Sequence, residues 1–193
     1  MQQPDLAGFA APSLSVHRLF FALWPGDQLR QGIADTASRL LQHHDAGGRR
    51  IGPHRYHLTL QFLGDYAELP PSLVEQAKTA ATTLEVAPFE LVLDRAGSFR
   101  NRSIPWWLGC EVIPDGLQHL WNGLGHALAR TGVRVQSGKT LVPHVTILRD
   151  ARQPLPLVPI QPLRWTVDSF ALIHSELGAR NAYTEVGRWT LRR

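Results

Sequence analysis

The sequence predicts an α+β fold built from two similar half-domains that meet across a cleft. Three observations predict it. Strand-like segments come in runs, with three helical ones between them, rather than in strict alternation. The tetrad HLTL at residues 57–60 returns as HVTI at 144–147, each on a predicted strand preceded by a predicted helix. The 193 residues, 44% hydrophobic and 19% charged, are enough for one well-buried domain or two small lobes sharing a cleft.

The elements follow in order. Residues 18–24, RLFFALW, form an apolar, aromatic-rich run that reads as a buried strand. Pro25-Gly26 breaks it, and Asp27 can cap a helix through about His43, with Leu29, Ile33, Ala37, Leu40 and Leu41 on one face. Residues 44–53 read as a loop, and 56–63, YHLTLQFL, alternate as a strand. Pro70-Pro71 opens a second helix to about Val86. Strands are predicted over 89–96 and 106–113, joined by the basic loop GSFRNRSIP. A third helix runs over 114–131 and stops at Gly132. Residues 142–149, VPHVTILR, give a strand with a proline near its start, where a missing donor is tolerable. A Pro-rich link over 153–162 leads to strands over 165–174 and 183–191. Residues 1–16 have neither a basic n-region nor a long apolar stretch and read as a flexible leader, leaving 17–193 as one domain.

Composition narrows the function classes. No apolar run approaches the roughly 20 residues that span a membrane. A single cysteine, Cys110, excludes an internal disulfide, which fits a reducing cytoplasm; within its apolar stretch it reads as a small buried residue. The net charge of +4 fits an anionic partner such as nucleic acid, and equally fits ordinary surface variation.

The chemistry rests on the paired motif. Nine histidines and eleven threonines in this chain give about half a His-x-Thr by chance, yet two occur, both on strands and both followed by an aliphatic residue. Strict alternation puts His57 and Thr59 on one strand face and Leu58 and Leu60 on the other; His144 and Thr146 stand likewise against Val145 and Ile147. Cleaving a phosphodiester needs a base for the attacking oxygen and an acid for the leaving one. Imidazole titrates near pH ~6.5, so two rings can hold opposite protonation states near neutrality. The threonine hydroxyls can hydrogen-bond the non-bridging oxygens as charge builds. With no His-Glu-x-x-His and no clustered Cys or acidic ligands around either copy, no metal and no cofactor is expected.

HLTLQFLG (57–64) and PHVTILR (143–149) resemble the two signature segments of the two-histidine phosphoesterase superfamily. Within it they most resemble the RNA 2′,3′-cyclic phosphodiesterases, historically named 2′-5′ RNA ligases. RLFFALWP and the segment 169–183, with SFALIHSEL and Tyr183, resemble that family's first and C-terminal strands. The resemblance implies a bilobal fold, two pseudo-symmetric antiparallel-sheet lobes with outer helices around a central cleft. It implies a monomeric, cytoplasmic hydrolase that opens RNA 2′,3′-cyclic phosphate ends, tRNA fragments among them, to 2′-phosphomonoesters. It makes His144 the proton acceptor and His57 the proton donor, whereas the near-symmetric motifs alone assign no direction. In reverse, an RNA 5′-hydroxyl in place of water would give ATP-independent 2′-5′ ligation. A phosphodiesterase for a small cyclic nucleotide or ADP-ribose cyclic phosphate, and a non-catalytic RNA-binding module, are the competing readings.

Arg149 matches the arginine that ends the family's second motif and contacts substrate, although alternation alone turns it away from His144. Gln61, where the family often has lysine, falls on the His57 face by alternation and is a candidate for sugar or phosphate contact; Phe62 reads as core. Arg49, Arg50, Arg100, Arg102 and Lys139 read as solvated loop charges with some capacity to line an RNA track. Of Trp106-Trp107 at most one can reach the cleft, and core packing is expected for both.

Overall fold

The computed structural model describes residues 16–100, 102–136, 138, 140–177 and 183–192. Of the expected leader only Val16 falls among these, as the first residue of a strand, and Lys139 lies outside them.

The element order is β1 (Val16–Leu23), α1 (Asp27–His43), β2 (Arg49–Arg50), a 3₁₀ turn (Pro53–Arg55), β3 (Leu58–Tyr66), α2 (Pro71–Thr82), β4 (Phe89–Ser98), β5 (Trp106–Gly109), α3 (Asp115–Arg130), β6 (His144–Arg149), β7 (Val158–Val167), β8 (Ser169–Leu177) and β9 (Tyr183–Thr190). All pairings are antiparallel, in the order β7-β4-β5-β6-β3-β1-β8-β9, with β2 added to β6. The order reads the same from either end in kind. Each half has an inner motif strand (β3 or β6), then the strand that precedes its helix (β1 or β5), then two more. The halves join at one residue pair, Leu58 with Val145, the second residues of the two His-x-Thr motifs.

The helix-facing side carries the main core. Leu19, Phe21, Leu23, Leu58, Leu60, Val145 and Ile147 are buried there against Ile33, Leu120, Leu124 and Leu128 of the helices. Helix α1 leaves β1 but packs on β6 and β7, while α3 leaves β5 and packs on β3 and β4. Helix α1 thereby clamps the half that does not precede it, and α3 spans both halves. Among the described residues the other side of the sheet holds a small cluster, Phe20, Ala22, Ala171 and Ile173, flanked by Trp24, Phe62 and Tyr183. That open face is the cleft.

Three predicted segments change. The second half of the Pro-rich link is strand: β7 begins at Val158 and contains Pro159 and Pro162. As the edge strand it pairs only with β4, so a proline lacking its N–H can face outward without breaking a ladder. The strand expected over 165–174 is two strands, because the chain crosses at Asp168 from the edge of one half to the interior of the other. Strand β5 stops at Gly109 rather than 113, and Cys110 beyond it is half-buried, with burial pushing its thiol pKa up.

Candidate active site

An antiparallel register centred on Leu58–Val145 sets His57 beside Thr146 and Thr59 beside His144, all on the open face. The two imidazoles are fixed in the same way. His57 Nδ1 donates to the Arg55 carbonyl at 2.8 Å, and His144 Nδ1 donates to the Val142 carbonyl at 2.8 Å. A carbonyl only accepts, so Nδ1 carries the hydrogen and Nε2 is left to take or give a proton. In both motifs the carbonyl belongs to the residue two positions before the histidine, so the tautomer is set by local backbone.

Burial disfavours the charged form of both rings. Burial lowers the His57 pKa to about 4, aided by the charges of His144, Arg149 and Arg55 and opposed by the bond to Arg55. Burial also lowers His144, opposed by its bond to Val142 and aided by Arg149. The register sets the two rings diagonally across the Leu58–Val145 pair, on one face of the sheet.

The surroundings of the two rings differ. His57 lies against Phe20 (ring centroids 4.9 Å) and edge-on to Tyr183 (5.4 Å), and the Arg55 guanidinium sits over Tyr183 at 4.9 Å. Arg18 grips Asp65 through two bonds of 2.7 and 2.8 Å and lies over the Phe62 ring. His57, Thr59, Arg149, Arg18, Phe20, Phe62 and Tyr183 together line a cleft of about 250 Å³. His144 instead meets the edge of Phe99 at 4.9 Å, and Phe99 leans on Trp107. Larger cavities of about 980 and 550 Å³ lie elsewhere and contain neither motif.

β-Bulges decide which side chains reach the cleft. On β3 the partners of Phe21 and Ala22 are Gln61 and Thr59, so Leu60 is an extra residue. On β6 the partners of Trp106 and Trp107 are Leu148 and Thr146, so Ile147 is extra in the same way. The extra residue follows the threonine in both motifs and reverses the alternation beyond it. Arg149 is therefore brought to the cleft despite the simple alternation. The same shift corrects two expectations. Gln61 is 3% exposed on the helix side, its Nε2 donating to the Trp121 carbonyl at 3.0 Å, and it lines no part of the cleft. Phe62 takes the place expected for Gln61. Of the two tryptophans, Trp106 is core, with Nε1 donating to the Gln153 carbonyl at 3.0 Å. Trp107 pairs with Thr146 and so lies on the cleft face.

Charge in the cleft is one-sided. Burial lowers the Arg149 pKa, and Arg18, Arg55 and Arg49 push the same way with Tyr183 opposing. Arg49 earns its place through β2, which pairs it with Arg149. Arg50 turns instead to α1, bonding the Ala34 carbonyl and Ser38. Simple period-2 reading missed Phe20, Arg18 and Tyr183 as site residues; the i, i+2 row Arg18–Phe20–Ala22 carried a signal, but nothing in the sequence says which face is open. Among the described residues no group of three His, Cys, Asp or Glu side chains is placed to hold a metal ion.

The model of the 2′-5′ RNA ligase superfamily matches residues 25–179. The chain belongs to the 2′-5′ RNA ligase superfamily. It is 34% identical over 178 residues to the RNA 2′,3′-cyclic phosphodiesterase of Escherichia coli strain K12, covering 90% of this chain and 96% of that one. It is 33% identical over 188 residues to the Thermus thermophilus protein of the same name, covering 91% and 90%. The crystal structure of E. coli LigT complexed with 3′-AMP superposes with a TM-score of 0.78 at 32% identity, over 92% of this chain and 99% of that one. This superfamily member thus has the expected α+β two-histidine phosphoesterase fold.

Proposed function

We propose that this chain hydrolyses RNA 2′,3′-cyclic phosphate ends to 2′-phosphomonoesters by paired general acid and base catalysis. The observation that carries the reading is the two-fold related His/Thr quartet on one open face, both Nδ1 atoms tied to backbone and both Nε2 atoms left for chemistry. The name shared by the E. coli and T. thermophilus relatives supports the same substrate.

His144 Nε2 takes a proton from water as its oxygen bonds to phosphorus. The bond from phosphorus to O3′ breaks, and His57 Nε2–H delivers a proton to O3′, leaving the phosphate on O2′. Thr59 and Thr146 donate to the non-bridging oxygens from opposite halves. The Arg149 fork and the cation cluster behind it neutralise the phosphate. A bound phosphodiester anion raises the pKa of both imidazoles, so the substrate itself helps to protonate His57. The enzyme works as a monomer in the cytoplasm and needs no cofactor; none of the described helices is long and apolar enough to cross a membrane.

Purified protein in EDTA, offered an oligonucleotide ending in a 2′,3′-cyclic phosphate, should release a 2′-phosphate end. A cyclic mononucleotide and ADP-ribose cyclic phosphate, run beside it, should turn over less efficiently. Activity abolished by EDTA and restored by a divalent ion would remove this mechanism.

A further inference from the structure

We infer that the His144 side of the cleft holds a second nucleoside, seated on Phe99 and Trp107, on the side from which the nucleophile approaches; this rests on the base role proposed for His144. Gly97, Trp107 and Thr146 are cross-strand partners in sequence across the sheet, so all three stand on the cleft face, and Gly109 pairs with His144. The indole lies against the two glycines. A Cβ built at Gly97 would come within 2.9 Å of the Trp107 ring, and one at Gly109 within 3.0 Å. A side chain at Gly97 would displace the ring, and one at Gly109 would meet both the ring and the Pro143 carbonyl, 2.9 Å away. The Phe99 ring leans on the indole at 5.4 Å and 33°, and its edge meets His144 at 4.9 Å. Phe99 is half-buried, and its backbone N–H closes a hairpin onto the Pro105 carbonyl at 3.2 Å. The exposed Arg100 and Arg102 stand on that hairpin.

An aromatic step beside an imidazole, with exposed arginines on the adjoining hairpin, is the arrangement that holds a base and its phosphate. At the position matching Trp107 the opposite half has Ala22, which pairs with Thr59, and the rings beside His57 come from Phe20 and Tyr183 instead. Water as nucleophile makes no use of this step. A ribose 5′-hydroxyl does: its proton passes to His144 Nε2, the O5′–P bond forms, the P–O3′ bond breaks, and His57 protonates O3′. The product is a 2′-5′ diester with a nucleoside on each side of the phosphate, formed with no other reactant.

The test uses two inhibitors of equal charge, competing with cyclic-phosphate hydrolysis: 2′-5′-linked ApA and the methyl diester of adenosine 2′-phosphate. Wild-type protein should bind the dinucleotide about tenfold more tightly, the scale of one base–aromatic stack. Phe99→Leu should abolish that advantage and leave the methyl diester within about twofold, while Phe99→Trp should retain the advantage. Equal affinities in the wild type, or equal losses for both ligands in Phe99→Leu, would overturn the subsite. If the wild type hydrolyses no cyclic phosphate, the proposed function fails, and calorimetric binding of the same two ligands still decides the subsite.

Discussion

The two halves of this protein solve one backbone problem in one way and then line the result differently. Each presents a histidine whose Nδ1 is tied to a carbonyl two residues earlier, a threonine two residues later, and a bulge immediately after it. Around His57 the lining is closed and aromatic, with Phe20, Phe62 and Tyr183. Around His144 it is more open, with one ring edge-on and the imidazole's backbone bond exposed. The difference teaches that a duplicated motif need not give duplicated chemistry. Shared backbone geometry supplies two aligned Nε2 atoms, and the unshared neighbours set how strongly each resists a proton. Burial pushes the His57 pKa down to about 4, which suits that ring to the proton-donor role proposed for it.

The largest effect that probes this comparison is removal of either ring. His57→Ala and His144→Ala should each lower kcat by roughly 10²–10⁴-fold, with unchanged melting temperature, because both side chains face the cleft rather than the main core. Near-wild-type turnover of both variants would mean that the two halves are alike only in structure.

Next come the hydroxyls. Thr59→Val and Thr146→Val keep shape and lose a donor, and each should cost about 1.5–3 kcal/mol in kcat/KM, typical of a hydrogen bond to a charged group. An effect confined to one of them would put the phosphate in one half rather than between the two.

The pH dependence sharpens the comparison further. The kcat/KM profile reports the free enzyme, where His57 must be protonated against a pKa of about 4 and His144 must be neutral against a pKa also below its ordinary value. Its bell should therefore lie on the acid side of ordinary histidine titration. The kcat profile reports the complex, where the phosphate anion favours both charged rings, so its bell should be displaced to higher pH. Coincident profiles would show that the substrate does not protonate the site.

The smallest effect is expected at Gln61. Gln61→Leu removes a side chain that lies behind the motif strand, so kcat/KM should hold within about threefold, and stability within about 1 kcal/mol, because one bond to Trp121 is lost as one unpaired buried oxygen is removed. A large rise in KM would return Gln61 to the cleft.

Gln61 also shows where the sequence stopped being legible. The helices, most strands, the two-fold echo and the His/Thr quartet can all be read from periodicity, turn residues and motif. A bulge has no such signature: it is one residue of slippage decided by the partner strand, and it moved Gln61 out, Phe62 in and Arg149 to the cleft. The edge strand β7 was hidden for a related reason, since Pro159 and Pro162 read as a linker until the sheet order shows that their side of the strand has no partner. Phe20 and Tyr183 depended on knowing which sheet face the helices leave uncovered, a tertiary fact.

The central claim is that the two histidines divide acid from base. Replacing the bridging O3′ of the cyclic phosphate by sulfur tests it most directly, since a thiolate leaves without a proton. The account predicts that this substrate restores His57→Ala to within about tenfold of wild type and leaves His144→Ala impaired. Restoration of His144→Ala instead, or of neither variant, would contradict it.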